Sequence, residues 1–226
     1  MMKSEISTAK PIATDGDDGS SLADQAFSKV RGMIVNRMLA GGEVLVEGRL
    51  AEMLGLTRTP LREALVRLEG AGLLVKRKNR SFAVRQVGAA EFFQSLKVRK
   101  YLESQAARLA VGKVDVNDIR AFRHRIIGLA TVEAHVPEHW YLDDDLHNWL
   151  AQSGGNDVLA NAIHRLRITT QLFEIGRPFD RTRADAEEHL AILQAIDDAD
   201  AKAAECAVLC HLENIEADVL EIVRAG

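Results

Sequence analysis

Between Glu47 and Arg85 two short helical stripes and one alternating stretch follow each other with almost no slack. Residues 47–54 and 57–71 each place apolar side chains at helical spacing, and Gly55 separates them. In the second segment Leu61, Ala64, Leu65 and Leu68 form the stripe that seeks burial, so Arg58 and Arg62, four apart, share another face and point outward. Pro60 fits such a helix only in its first turn, behind a Thr57 or Thr59 cap. Leu73 to Lys76 and Phe82 to Arg85 then alternate around Lys78-Asn79-Arg80-Ser81, the pattern of a β-hairpin with a basic tip. Two helices at a tight turn followed by a hairpin predict a winged helix-turn-helix, with arginines on its second helix and on its wing.

The segments on either side complete the expected architecture. Residues 1–20 are poor in large apolar side chains and end in Asp, Gly and Ser, which reads as a disordered tail. From Ser21, Leu22, Ala26, Val30, Met33 and Ile34 share a helical face up to about Leu39, where Ala40-Gly41-Gly42 ends the helix. After Val87-Gly88 the pattern changes to long amphipathic helices, expected over 89–112, 115–135, 137–153, 156–176, 180–199 and 200–224, without a convincing strand. The fold class is therefore mainly α: a winged helix-turn-helix over 21–87, then an all-α antiparallel bundle over 88–226.

Charge follows the same division. The whole chain of 226 residues carries a formal net charge of −4, yet residues 1–88 hold 14 basic against 10 acidic side chains and residues 89–226 hold 15 against 23. From Arg49 to Arg85 nine basic residues face only Glu52, Glu63 and Glu69, a local excess suited to a polyanion. No apolar run reaches the roughly 18 residues of a membrane span, and no basic, apolar and small-residue leader opens the chain, so a cytoplasmic protein is expected. Cys206 and Cys210, four apart in a helical stretch, make a poor disulfide framework.

The segment LAEMLGLTRTPLREALVRLEGAGLL, residues 50–74, resembles the winged helix-turn-helix of the GntR family of bacterial transcription regulators. The resemblance runs through Leu50, Ala51, Leu54 and Gly55, then Thr57 to Leu65, then Leu68-Glu69 and Gly72-Leu73. It implies that Arg58, Thr59 and Arg62 approach double-stranded DNA from the second helix, while Lys78 and Arg80 at the wing tip enter the minor groove. A guanidinium fork suits that task because it reads guanine O6 and N7, or clamps a phosphate, through two bonds. Two positions depart from the pattern: Gly48 stands where an arginine is frequent, with Arg49 one step on, and Ser81 replaces the wing glycine.

In the bundle, Trp140, Asp143, His147 and Leu150 fall three, four and three apart, which puts an acid and an imidazole on an apolar stripe. His211 is in phase with Ala204, Val208, Ile215 and Val219, and His189 precedes Ile192, Leu193 and Ile196. Such a set is either a group of satisfied core side chains or a nitrogen and oxygen site for a divalent ion such as zinc, nickel or manganese. Arg99, in phase with Phe92, Leu102 and Ala106, is open between a salt bridge to Glu103 and a ligand contact. His124, His135, His139 and His164 show no such pattern and read as surface or core residues.

Residues 89–224 resemble the FCD effector domain of the FadR subfamily. The features are Arg99-x-x-Leu102-Glu103, Asp143-x-x-Leu146-His147, Ser153-Gly154-Gly155-Asn156-x-x-Leu159, Glu188-His189 with Ile192, and His211. Leu146 occupies a place where Phe is usual. The resemblance implies that Asp143, His147, His189 and His211 are metal ligands and that Arg99 receives a carboxylate of a small organic acid. The function expected is a homodimeric, effector-controlled DNA-binding regulator and not an enzyme. The alternatives are a helical-bundle metalloenzyme, or a DNA-binding protein whose bundle serves only for dimerisation.

Overall fold

The computed structural model describes residues 20–78, 81–132, 134–176 and 181–225. The expected tail over 1–20, apart from Ser20, and Arg80 at the wing tip lie outside them.

The first helix, α1 (Leu22–Val35), starts at a reciprocal capping box in which the Ser21 hydroxyl accepts from the Asp24 N–H and Asp24 accepts from the Ser21 N–H. It ends four residues before the expected Leu39, because the chain turns back on itself and the Met38 and Leu39 N–H groups both donate to the Met33 carbonyl. Ala40-Gly41-Gly42 instead forms the entry to a short strand, β1 (Val44–Leu45). Gly42, at φ +85°, donates its N–H to the Val84 carbonyl there. α2 (Glu47–Leu54) stops at Gly55 in the left-handed region. α3 (Arg58–Gly70) follows with Pro60 in its first turn, and Thr57 holds the cap position without a capping bond from its side chain.

Leu61, Ala64, Leu65 and Leu68 of α3 are fully buried, each leucine gaining about 1.5–3 kcal/mol from removal from water. They pack α3 against α1, and Arg67 of α3 adds an ion pair to Asp24 at 2.7 Å while lying over the Phe27 ring. The wing strands β2 (Leu74–Lys76) and β3 (Phe82–Val84) pair antiparallel, and β1 joins the other edge of β3 to give the order β1-β3-β2. β1 is too short for alternation to announce it.

Six helices follow: α4 (Ala89–Ala110), α5 (Val116–Ala130), α6 (Pro137–Ser153), α7 (Asp157–Ile175), α8 (Thr182–Asp197) and α9 (Ala201–Ala225). α4 runs through the middle, packed on α6, α7 and α9, while α8 lies between α5 and α9. Phe92 of α4 stacks on Phe173 of α7 at 4.5 Å between ring centroids. The apolar core is continuous from Val30 and Leu65 through Val84 and Val87 into this bundle. α6, α8 and α9 therefore turn their polar exceptions toward one interior point.

Candidate functional site

Two surfaces carry chemistry, and the first is the face of α3. Arg58, Thr59 and Arg62 are all exposed there, with Arg49 on α2 and Lys78 beyond β2 also exposed. Arg62 is not free, since its Nη1 donates to both carboxylate oxygens of Glu47, at 3.0 and 3.1 Å. That pair is solvent-exposed and worth at most about 1 kcal/mol, so a phosphate or base edge can displace it.

The second lies inside the bundle. Asp143 and His147 share one face of α6, one turn apart, with His189 entering from α8 and His211 from α9. The three imidazole centroids lie 4.7 to 5.4 Å apart. Asp143 Oδ1 is 3.6 Å from His147 Nε2 and 3.5 Å from His189 Nε2, and one donor atom from each of the four residues falls within 4.8 Å of the others.

What orients these rings is a set of carboxylates behind them. His147 Nδ1 donates to Glu103 Oε2 at 2.6 Å, and His211 Nδ1 donates to Glu188 Oε2 at 2.7 Å. An ionised carboxylate only accepts, so the ring proton sits on Nδ1 and the Nε2 lone pair faces inward. The Nε2 atoms of His147, His189 and His211 are all buried without a hydrogen-bond partner. Leaving three such acceptors unpaired is costly in a folded core. Burial, reinforced by the Arg167 charge, pushes the His147 imidazole down to about 3, and burial likewise lowers His211, so both stay neutral as a metal requires. Donor type and spacing of all four residues, and tautomer and protonation state of His147 and His211, fit a divalent ion.

The acid is held in turn by Arg167 of α7, whose Nη2 donates to Asp143 Oδ2 at 2.6 Å and leaves Oδ1 toward the imidazoles. Burial alone would raise the Asp143 pKa, but Arg167 and the two histidines hold its carboxyl well below the ordinary range. Arg99 pairs with Glu103, with Nε at 2.5 Å from Oε1, and donates from Nη1 to the Thr170 hydroxyl at 2.7 Å. These bonds use only part of its five N–H groups. The guanidinium also lines a cleft beside the histidines, with Asp143, His189, Trp140, Glu174 and Asp185. The cleft has a core of about 60 Å³ and about 750 Å³ of empty space including its mouth. Burial pushes the Glu174 carboxyl up to about 8, so at neutral pH it is a protonated hydrogen-bond donor.

Residues 22–84 match the model of the bacterial regulatory proteins of the gntR family, and residues 94–214 match the FCD domain. The Nta operon transcriptional regulator of Aminobacter aminovorans is 32% identical over 199 residues, covering 86% of this chain and 92% of that protein. The chain belongs to the GntR family. A second relative of this GntR regulator is the HTH-type transcriptional repressor RspR of Escherichia coli K12, 25% identical over 203 residues and covering 88% and 89% of the two chains. The solved structure of E. coli McbR/YncC superposes with a TM-score of 0.77 at 20% identity, covering 90% of this chain and 99% of that one, a likeness of fold. The family models and relatives are those of DNA-binding transcriptional regulators and not of enzymes. No helix among the described residues is long and apolar enough to cross a membrane.

Within this GntR regulator, Asp143, His147, His189 and His211 lie together, whereas Asp144 and Asp145 pair with Arg31 and Arg125. Arg99 makes the salt bridge to Glu103, one of its two expected options, and also lines the cleft. His135 and His139, read from sequence as ordinary surface or core residues, belong to that wall as well. His139 is engaged locally, its Nδ1 accepting from the Val136 N–H and its Nε2 donating to the Leu129 carbonyl. Arg167 escaped sequence reasoning, and the motifs that contain Glu103 and Glu188 do not reveal them as the acceptors behind His147 and His211. The available signal for Arg167 was a lone cation in phase with Ile163 and Thr170 on α7.

Proposed function

We propose that this regulator binds an operator through α3 and the wing, and that a small carboxylate metabolite held beside a divalent ion in the bundle sets its operator affinity. In this reading residues 21–87 form the DNA-reading unit and 88–226 the sensing and dimerisation unit, acting in the cytoplasm. Arg58, Thr59 and Arg62 read the duplex from α3, with Arg49, Lys78 and Arg80 neutralising phosphates. One winged helix covers a single half-site, so a homodimer matches a palindromic operator.

Asp143, His147, His189 and His211 would hold zinc, nickel or manganese. The observation that carries this is the convergence of three buried, unpartnered Nε2 atoms on Asp143 Oδ1. When bound, the ion supplies a Lewis-acidic anchor for an effector oxygen. Arg99 receives the other end of the acid through N–H groups not used by Glu103 and Thr170. Glu103 and Glu188 keep the imidazole lone pairs aimed inward throughout.

The test pairs two variants. His189→Ala loses the metal on elemental analysis after metal-replete purification, and with it any thermal shift caused by organic acids. Arg99→Ala keeps the metal and loses only the response to the acid. Parent protein purified with substoichiometric metal refutes the metal part, leaving the bundle as a dimerisation scaffold, and an unchanged acid response in Arg99→Ala refutes the effector part.

A further inference from the structure

Among the polar contacts by which the winged part meets the bundle, two land beside buried side chains of the bundle interior. Arg31 of α1 donates from Nη2 to Asp144 Oδ2 at 2.8 Å, with its guanidinium 5.5 Å from the Tyr141 ring centroid. Arg85, just beyond β3, donates to the Thr169 hydroxyl at 3.1 Å. Asp144 directly follows Asp143 in sequence, and Thr169 directly precedes Thr170, the hydroxyl that receives Arg99. Two contacts from the DNA-reading part therefore end one residue away from a group in the interior, while Arg85 also pairs with Glu91 at the start of α4.

Arg167 closes the gap between them. It bonds Asp143 Oδ2 at 2.6 Å, and its Nε lies 3.5 Å from Asp144 Oδ1, an ion-pair distance at which Nε has no hydrogen-bond partner. Two arginines from two parts of the fold thus share the charge of the Asp144 carboxylate, Arg31 on Oδ2 and facing solvent in part, Arg167 on Oδ1 and buried. On the other side of Arg31, α1 is clamped to α3 by the Arg67–Asp24 ion pair and by the packing of Leu61, Leu65 and Leu68.

We propose that Arg31, Asp144 and Arg167 form a relay that reports the state of the Asp143 cluster to α1, and through α1 to the helix carrying Arg58 and Arg62. This rests on the reading that Asp143, His147, His189 and His211 take a divalent ion. With the Asp143 charge committed to a cation, less of it is left for Arg167. Arg167 then turns to Asp144, tightening its 3.5 Å approach toward a hydrogen bond, and Asp144 gives up part of its hold on Arg31. α1 is released from α6 as the site fills. Arg167 is a positioning residue in this scheme: it touches neither DNA nor effector, and it acts by aiming one carboxylate and drawing on a second. The coupling needs a single element with two arrangements, here the Arg167 guanidinium between Asp143 and Asp144.

Hydrogen exchange of the full-length protein, with zinc alone as the probe, tests this. In the parent, amides of residues 22–35 exchange at least about threefold faster with one zinc bound than after chelation. Arg31→Met exchanges at the fast rate in both states while binding zinc within about twofold of the parent, and Arg31→Lys recovers part of the zinc-dependent difference. Arg167→Met binds zinc at least about tenfold more weakly, because Asp143 loses the group that aims it. Zinc content measured on the same samples separates the two ideas. A parent that binds zinc without any change over 22–35, or an Arg31→Met variant that keeps the change, overturns the relay alone. A parent that binds no zinc overturns the metal reading and the relay with it.

Discussion

Replacing Glu103 with glutamine removes one charge and almost no volume from a buried carboxylate that holds both Arg99 and His147. Glu103 is 3% exposed and receives Arg99 on Oε1 and His147 on Oε2, with Arg167 Nη1 a further 3.8 Å away. Its pKa would be raised by burial, but Arg99 and His147 hold it far below the ordinary carboxylate range. Both members of the Arg99–Glu103 pair have side chains only 4% exposed, so solvent screens neither. A glutamine in that place offers one acceptor oxygen instead of two and turns an NH₂ group toward either a guanidinium N–H or the His147 Nδ1–H. Breaking a buried ion pair from one side costs about 3–5 kcal/mol, because the partner charge stays behind unpaired. Urea denaturation of metal-free Glu103→Gln should show a loss of that size with an unchanged slope. The same variant frees the His147 ring, and loss of such an outer carboxylate weakens metal binding about 10- to 100-fold. A stability loss below about 1 kcal/mol would refute the view that Glu103 is the electrostatic centre of the bundle.

The metal-free protein should be most stable near pH 6.5. His147, about 3 when folded against an ordinary 6.5, and His211, also lowered, lose their stabilising effect as pH falls below 6.5, whereas Glu174, about 8 against 4.5, loses its own as pH rises toward 8. Above 6.5 the unfolded chain thus binds about one proton fewer at Glu174, a loss of about 1.4 kcal/mol per pH unit, whereas below 6.5 His147 offsets Glu174 and the lowered His211 turns the balance, so that stability also falls toward acid pH. Denaturation across pH 5–8 checks this, and Glu174→Gln should flatten the alkaline limb and steepen the acid one. At the DNA face, Arg62→Ala should cost about 1–3 kcal/mol on a genuine operator, a five- to hundredfold loss in a binding assay at matched salt. Glu47→Ala, which only releases Arg62 from its exposed partner, should leave affinity equal or slightly higher.

Local pattern determined a large part of this protein. The stripe Leu61, Ala64, Leu65 and Leu68 fixed which face of α3 is buried, and so which face presents Arg58 and Arg62, because a helix has one period and one apolar side. The same reasoning put Asp143 and His147 on one turn of α6 and placed His211 on the buried stripe of α9. Periodicity could place each of these on a helix face, but it could not say that three faces from α6, α8 and α9 meet at one point. That depends on how helices cross, which is set by the packing of the whole bundle around α4. β1 escaped because two residues carry no period, and it exists only because β3 offers it an open edge. Arg167, and the roles of Glu103 and Glu188 behind the imidazoles, escaped for a related reason. A buried charge looks like an error in a stripe until its partner is known, and here the partners Asp143, His147 and His211 lie on other helices, 23 to 44 residues away along the chain. Arg31 shows the limit most clearly. On α1 it is one more partly exposed cation, and only the docking of the two parts of the fold puts it on the carboxylate beside Asp143, 113 residues distant.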